Sequence, residues 1–566
     1  MKTNLFFKWV FALCFICMVN VLSAQNIKDK VVNRRLPVLK TNGNELHIIA
    51  DGRQQSGAWL IDLSAHPDIF KTSAKKVTFR SNIDSITFDI HKMDIYDFVV
   101  VTNNGDSALT RIQWESTNPL EEPSQEILKR SMNGQLSKAQ AQFDIDALFY
   151  TLGEVHPNLF SVCKQDELFP AIDQVKKHLP DSVSSVRLFQ MVAPLVTKIG
   201  DGHTMLRFPY NDLFTSTYRR LPLFVKAMPD YTLRVRTCID NAIPQDAEVI
   251  SINQLSSKKM IETMMDYASG ERDFFRIERI NNDFPALFEM LYATDRYEVT
   301  YRLKGSKNTL KTTLLPATWG ELKNRVPKEE QEMSSSDYSF KILEKENTAI
   351  MDFRNFNDPN RMKVFADSMF TSLREKGIKN LIIDLRNNGG GDSQVGDVLF
   401  RYISRQPFKQ MGKSLVRVTP TTQRLMNNNQ LASGWYFYDS EKEKNLIAPF
   451  SVAEGHYEGK VYLLISHHTF SSAGSFAWAF KQFGMGTVIG EESGGMNVCF
   501  GDILSYKLPV SGLLCTISFK RFWQYGADEK DIHGTLPDYA VPQDQAMDTA
   551  LKLIIKHGKV SSTLHF

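Results

Sequence analysis

Two stretches in the last third of the chain decide its fold: KNLIIDLRNNGGGDS, Lys379 to Ser393, and VYLLISHHTFSSAGSFAWAF, Val461 to Phe480. Each reads as an apolar strand, a tight turn of small residues and a helix. In α/β sheets ligands gather beyond the carboxyl ends of the strands, where helix N-termini offer free N–H groups and the positive end of the dipole. The first turn supplies Gly389, Gly390 and Gly391, and glycine lets a backbone N–H approach a reacting carbonyl with no Cβ in the way. The second supplies Ser472 at the start of a helix. Its neighbour Ala473 offers an N–H to the same space, which an acyl-transfer oxyanion needs. Together the two turns read as an oxyanion hole and a nucleophile.

Plainer readings exist for each piece. A serine that opens a helix is commonly an N-cap, but Ser471 stands one residue earlier and is the better cap. Three adjacent glycines can be a plain connection. A phosphate loop is excluded, since the chain has neither GxxxxGK[ST] nor GxGxxG here. Asp384 and Arg386 are expected to fix the glycine turn through an ion pair.

A serine nucleophile needs a base. His203 lies in Asp201-Gly202-His203-Thr204, just after a helix stopped by Gly200, an unusual place for a packed core histidine. His467 and His468 come only a few residues before Ser472 and would have to fold back past the turn, so they are expected at the pocket rim.

Around these motifs the 566 residues divide naturally; the usual domain size of roughly 150 residues allows about three or four domains. Residues 1–24 read as a signal peptide: Lys2 and Lys8, a short apolar run from Trp9 to Leu22, and Leu22-Ser23-Ala24 before Gln25. Residues 26–120 alternate apolar and polar residues, with a hairpin turn at Asn103 to Asp106, and read as a small β-sandwich-like domain. Residues 136–218 turn helical and carry His203. Residues 219–316 return to short strands around a helix, similar to a PDZ-like module. Residues 338–545 form the α/β part, and a short helix and a tail follow. No later segment looks transmembrane.

With 42% hydrophobic and 23% charged residues and a net charge of +3, the composition is that of an ordinary globular protein and gives no nucleic-acid surface. Of six cysteines, two fall in the leader. Cys163, Cys238, Cys499 and Cys515 are expected as free thiols, and no CxxC metal spacing occurs.

The ordered set DGHT, DLRNNGGG, TFSSAGSFA, GEESGG (Gly490 to Gly495) and GTLPD (Gly534 to Asp538) resembles the C-terminal-processing and tricorn-core serine peptidase superfamily, which includes interphotoreceptor retinoid-binding protein. The resemblance covers roughly residues 140–545. It implies a multidomain α/β and β architecture with a ClpP/crotonase-like catalytic domain, a helical subdomain and a PDZ-like module. In the processing branch a lysine about 25 residues after the serine is the base. The matching position here is Asn497, and Lys481 and Lys507 fall elsewhere. In the tricorn-like branch the base is a histidine, matched by His203, oriented by a carboxylate near the GxxPD motif. Asp531 matches that carboxylate, one methylene shorter than the usual glutamate, with Glu529 as substitute. Gly202 precedes the histidine where tricorn has a serine, and Ser475 replaces an acidic residue of the processing branch.

The expectation is an exported serine endopeptidase, periplasmic or secreted, with envelope association and homo-oligomerisation left open. Ser472, His203 and Asp531 would be catalytic, and Ala473, Gly389 and Gly390 would form the oxyanion hole. Protein or peptide would be the substrate, with no metal, cofactor, nucleic acid or membrane span in the mature chain. The alternative is a catalytically silent protein of the same fold that holds peptides or apolar ligands.

Overall fold

The structure is a computed structural model that describes residues 134–563 except 326–335, 429 and 431–433, together with residues 125–129 and seven strands further upstream. The expected signal peptide, 1–24, lies outside the described residues. The upstream strands form two antiparallel sheets. One joins Val38–Asn42, Glu45–Ile49 and Ser85–Asp89; the other joins Trp59–Asp62, Lys76–Phe79, Ile95–Val101 and Ser107–Gln113. Val101 pairs with Ser107, as a hairpin turning at Asn103 to Asp106 requires, and the turn itself is outside the described residues. Among the described residues no helix is long and apolar enough to cross a membrane. All four thiols from Cys163 to Cys515 are free.

The chain forms two compact units. The first comprises Met1–Phe208, Ser414–Tyr438 and Phe500–Arg521. Its helix Lys138–Val155 starts at a capping box, in which Ser137 and Gln140 satisfy each other's backbone N–H groups. The helix buries Ala141, Ile145, Leu148 and Leu152, and its buried Asp144 accepts the N–H groups of Val510 and Ser511 at 2.8 and 2.6 Å. A second helix, Ser185–Thr197, is capped by Ser184. Gly200, at φ +72°, then turns the chain out of it. The chain passes through the His203 loop into a short strand, Met205–Leu206, that pairs antiparallel with Thr516 and Cys515.

The second unit comprises Pro209–Lys413, Asp439–Cys499 and Phe522–Phe566. It opens with β1 (Leu223–Ala227), β2 (Leu233–Cys238), β3 (Glu248–Ile252), helices α1 (Ser257–Met265) and α2 (Asp273–Tyr292), then β4 (Tyr297–Arg302) and β5 (Thr309–Leu314). These strands form an antiparallel sheet in the order β1-β2-β3-β4-β5, so β1 is an edge strand. The 20-residue α2 was not foreseen; Asn281, Asn282 and Pro285 interrupt its apolar pattern.

The rest of the unit is a six-stranded sheet. Its elements are β6 (Tyr338–Leu343), β7 (Thr348–Phe353), α3 (Pro359–Glu375), β8 (Asn380–Asp384), α4 (Gln394–Ile403), β9 (Lys460–Ile465), α5 (Ser472–Gln482), β10 (Thr487–Gly490), β11 (Tyr539–Ala540) and α6 (Ala546–Thr563). From β7 through β8, β9 and β10 to β11 the pairing is parallel, and β6 is an antiparallel edge. Alternation places Leu381, Ile383, Leu463 and Ile465 against Phe476, Phe480, Leu399 and Met369 on one face. It places Ile382, Tyr462 and Leu464 against Ala546, Ala550 and Ile554 on the other. A parallel sheet covered on both faces reads as continuous apolar runs, which is why NLIID and VYLLI stood out in the sequence.

One carboxyl group in this core makes folding pH-dependent. Burial pushes the Asp397 carboxyl on α4 up to about 6, against the hydrogen bond it accepts from Gln410 Nε2 at 2.8 Å. The unfolded chain releases that proton near pH 4, so the folded form binds more protons between about pH 4 and 6 and loses stability as pH rises through that window. Asp397→Asn should therefore raise the thermal midpoint at pH 8 and leave it near wild type at pH 4, read by unfolding scans at the two pH values.

Candidate active site

The two motif turns leave the sheet from the same end. β8 and β9 are parallel neighbours with Asp384 opposite Leu464, so residues 385–393 and 466–471 emerge side by side. Arg386 grips Asp384 from Nε at 2.9 Å and from Nη2 at 2.6 Å, and its Nη1 donates to Gln543 O at 2.5 Å. Asn388, fully buried, joins the pieces. Its Nδ2 donates to Phe353 O at the end of β7 at 2.9 Å, and its Oδ1 accepts Gly390 N–H at 2.8 Å. Its carbonyl accepts Phe470 N–H at 3.2 Å. Thr469 Oγ1 donates to Leu385 O at 3.0 Å and Ser466 Oγ to Arg386 O at 2.6 Å.

Ser472 stands at the first position of α5, 7% exposed, and its hydroxyl donates to Gly391 O at 2.5 Å. The glycine turn and the serine turn are thus in contact. A Cβ on Gly390, at φ +99°, would come within 2.8 Å of Phe470 O and of Ser472 N. Ser471 takes the helix-cap position but makes no capping bond, and it sits at φ +53°, a region that costs a non-glycine residue roughly 1–3 kcal/mol. In this geometry Ala473 N–H donates to Phe470 O at 3.1 Å, and Gly390 N–H is held by Asn388. Gly389 lies exposed, with His468 Nε2 3.9 Å from where its Cβ would be.

The surrounding loops are pinned. His467 Nδ1 is 2.9 Å from Glu492 O. Burial pushes the His468 imidazole below the ordinary histidine value, and the charge of Glu278 does not undo this. Asn497 is buried, donates its backbone N–H to His533 O at 3.0 Å and places Nδ2 3.3 Å from Gly534 O. Lys481 is ion-paired to Asp538 at 2.9 Å and donates to Leu536 O at 2.7 Å. Asp531 Oδ2 accepts Asp528 N–H at 2.8 Å, and Oδ1 lies 3.6 Å from His533 Nε2. Glu529 accepts from Trp523 Nε1 at 3.0 Å.

His203 belongs to the first unit. Its side chain is 14% exposed, and the carboxylate beside it is Asp201, 3.8 Å from Nδ1 and 2.9 Å from its backbone N–H. Asp201 is buried and also meets His156 Nε2 at 3.2 Å and Ser518 Oγ at 2.6 Å. Burial alone would raise its pKa. The hydrogen bond and charge of His156, the charge of His203 and the Ser518 hydroxyl outweigh it, holding the carboxyl far below the usual range. Asp201 and Asn388 were both missed as site residues, although each sits inside a motif singled out in the sequence.

A glycine turn against a helix-borne serine, on a parallel sheet, is the arrangement to compare with known proteins. Residues 347–541 match Peptidase family S41. This segment is a serine-type peptidase domain. Mature CPAF complexed with lactacystin is similar at 13% identity, over 75% of this chain and 99% of that chain, with a TM-score of 0.53. Mature CPAF alone gives 12%, 75%, 98% and 0.51. At that identity the likeness shows the fold. The photosystem II D1 C-terminal processing protease matches more loosely, at 13% identity over 73% of this chain and 97% of that one, with a TM-score of 0.38. The match to Peptidase family S41 agrees with the resemblance of the sequence motifs to the C-terminal-processing and tricorn-like serine peptidase superfamily.

Gly390 gives the site its sharpest test. Two of the contacts its Cβ would make are with backbone atoms, Phe470 O and Ser472 N, which cannot swing aside as a side-chain tip can. Gly390→Ala should displace the serine turn and lower the turnover of the peptidase about 100-fold or more, the scale of a misplacement of about 1 Å. Steady-state kinetics beside a thermal scan would check it, and wild-type turnover would show that the turn tolerates the shift.

Proposed function

We propose that the chain is an exported serine endopeptidase in which Ser472 attacks the scissile carbonyl and His203 takes its proton, later giving it to the leaving amine. The observation that carries this reading is Ser472 on the first turn of α5, in contact with the glycine turn. The oxyanion would be received by the Ala473 and Gly389 or Gly390 amides. Since two of these amides are engaged with Phe470 O and Asn388, substrate would exchange at least one internal bond for the developing oxyanion. Residues 1–24 would direct export to the periplasm or beyond. In this reading 26–120 form a sandwich-like domain, 136–218 the histidine-bearing subdomain, 219–316 a PDZ-like module and 338–545 the ClpP/crotonase-like catalytic domain.

The carboxylate of the relay has two candidates. Asp531 matches the superfamily pattern, and Asp201 is favoured by its place beside His203. Asp531→Asn and Asp201→Asn separate them: the true orienting residue, once amidated, should lose orders of magnitude in turnover with the tautomer.

The alternative, a silent peptide- or apolar-ligand-binding protein, is favoured by the engaged amides and by the Ser472 hydroxyl turned to Gly391 O. Incubation with an unstructured protein decides between the two. Wild type should cleave it, and Ser472→Ala and His203→Ala should each fall at least about 1,000-fold, because the members act as a unit. Wild-type activity should drop as pH falls through the histidine range, about 6 to 7. No cleavage by wild type, or full cleavage by Ser472→Ala, ends the peptidase assignment to this serine.

A further inference from the structure

Helix α2 touches both the edge of the antiparallel sheet and the serine turn. At its middle, the Asn281 side chain does for β1 what another strand would do: Oδ1 accepts Ala227 N–H at 2.6 Å and Nδ2 donates to Ala227 O at 3.0 Å. Near its C-terminus, the buried Glu289 accepts Leu221 N–H at 2.7 Å, just ahead of β1, with Tyr218 and Tyr297 donating to the same carboxylate at 3.2 Å. An edge strand with free N–H and C=O groups is a template for an added peptide strand. Here a helix of the same chain occupies both ends of it.

The other end of α2 reaches the candidate active site. Phe275 stacks on Phe470, two residues before Ser472, at 4.1 Å between ring centres. It packs so closely on Gly494 that a Cβ there would lie 2.5 Å from its ring. Phe274 stacks on His467 at 4.2 Å. Arg272, with its guanidinium 5.2 Å from the Phe274 ring centre, pairs with Glu492 at 3.5 Å and donates to Ile532 O at 3.3 Å. Glu492 in turn accepts Gly534 N–H at 2.9 Å. One short segment therefore grips three separate loops: 467–470, 492–494 and 532–534.

We infer that α2 is a positioning element of the peptidase: it closes the β1 edge to peptide addition and, through Arg272, Phe274 and Phe275, sets the serine turn with no ligand on that edge. The inference rests on the assignment of Ser472 as nucleophile. A helix held at the edge by Asn281 and Glu289 cannot leave it without disturbing the stacked rings, so edge and turn are mechanically one piece.

Two measurements on the full chain test this. Arg272→Ala and Phe274→Ala change partly exposed groups and should leave the thermal midpoint near wild type. Both should lower kcat on an unstructured protein and on a short peptide alike by about 10- to 100-fold, the range expected for a small misplacement, with KM little changed. Arg272→Lys should restore most of the loss. Wild-type kcat in both alanine variants overturns the positioning role. In the Ser472→Ala chain, hydrogen exchange over residues 221–227 should be slow and unaltered by saturating unstructured substrate. Altered protection there means that peptide displaces α2, which overturns the closed edge. If Ser472→Ala itself cleaves at the wild-type rate, the nucleophile assignment has failed, a result distinct from normal kcat in the Arg272 and Phe274 variants.

Discussion

The geometry of the second unit depends on the hydrogen bonds of Asn388. A buried side-chain amide left unsatisfied costs about 1–3 kcal/mol for each lost partner, so the surroundings of Asn388 are tightly prescribed. Its Nδ2, Oδ1 and backbone carbonyl reach the end of β7, Gly390 and Phe470 respectively. Three segments far apart in sequence, ending at Phe353, Gly390 and Phe470, are thereby fixed around one residue. The parallel register of β8 and β9 brings the turns together, and Asn388 sets their separation and orientation. With the turns so placed, Phe470 can accept from Ala473 and Ser472 can reach Gly391 O.

What the sequence made legible follows from the range of the forces involved. Strand patterns such as NLIID and VYLLI, and the helical periodicity of the segment that forms the 138–155 helix, are local, and local rules read them. The ion pair of Asp384 with Arg386 spans two residues and was equally readable. Asn388 and Asp201 were passed over because their partners are distant: Phe353 lies 35 residues from Asn388, and Ser518 lies 317 residues from Asp201. Helix α2 was hidden differently. Its polar positions Asn281 and Glu289 look like breaks in an apolar stripe, yet they face backbone groups that need partners. A polar residue on a buried helical face is a signal only when the edge it satisfies is already known. The expected Ser471 cap failed for a related reason: a strained backbone at Ser471, held by packing against Gly390, left its side chain without the capping geometry.

The His203 loop shows a buried charge used as a fastener. Asp201 has lost its water and is compensated by His156, Ser518 and the His203 backbone N–H, in addition to the nearby His203 ring. Removing one partner of such a buried ionic cluster typically costs about 3–5 kcal/mol. The fastening acts mostly on the backbone: Thr516 donates to His203 O and Ser518 N–H donates to Thr204 Oγ1. The loop is therefore held at both flanks of His203.

Two departures from the processing-branch pattern, Ser475 and Asn497, turn out to be one. Gln524 joins them, its Nε2 donating to Ser475 Oγ at 2.8 Å and its backbone N–H to Asn497 O at 2.9 Å. All three residues are buried. A carboxylate at 475 would need a cation within reach, since an isolated buried charge costs several kcal/mol or more, and position 497 offers only an amide. With the amine absent from 497, an acid at 475 would be an unpaired charge next to the serine; with the acid absent, a lysine at 497 would be one. The neutral set Ser475, Gln524 and Asn497 links the two positions by hydrogen bonds without either ion. Lys481 cannot fill the gap, because Asp538 and Leu536 O hold its ammonium. The Ser472 hydroxyl keeps its proton in a hydrogen bond to Gly391 O.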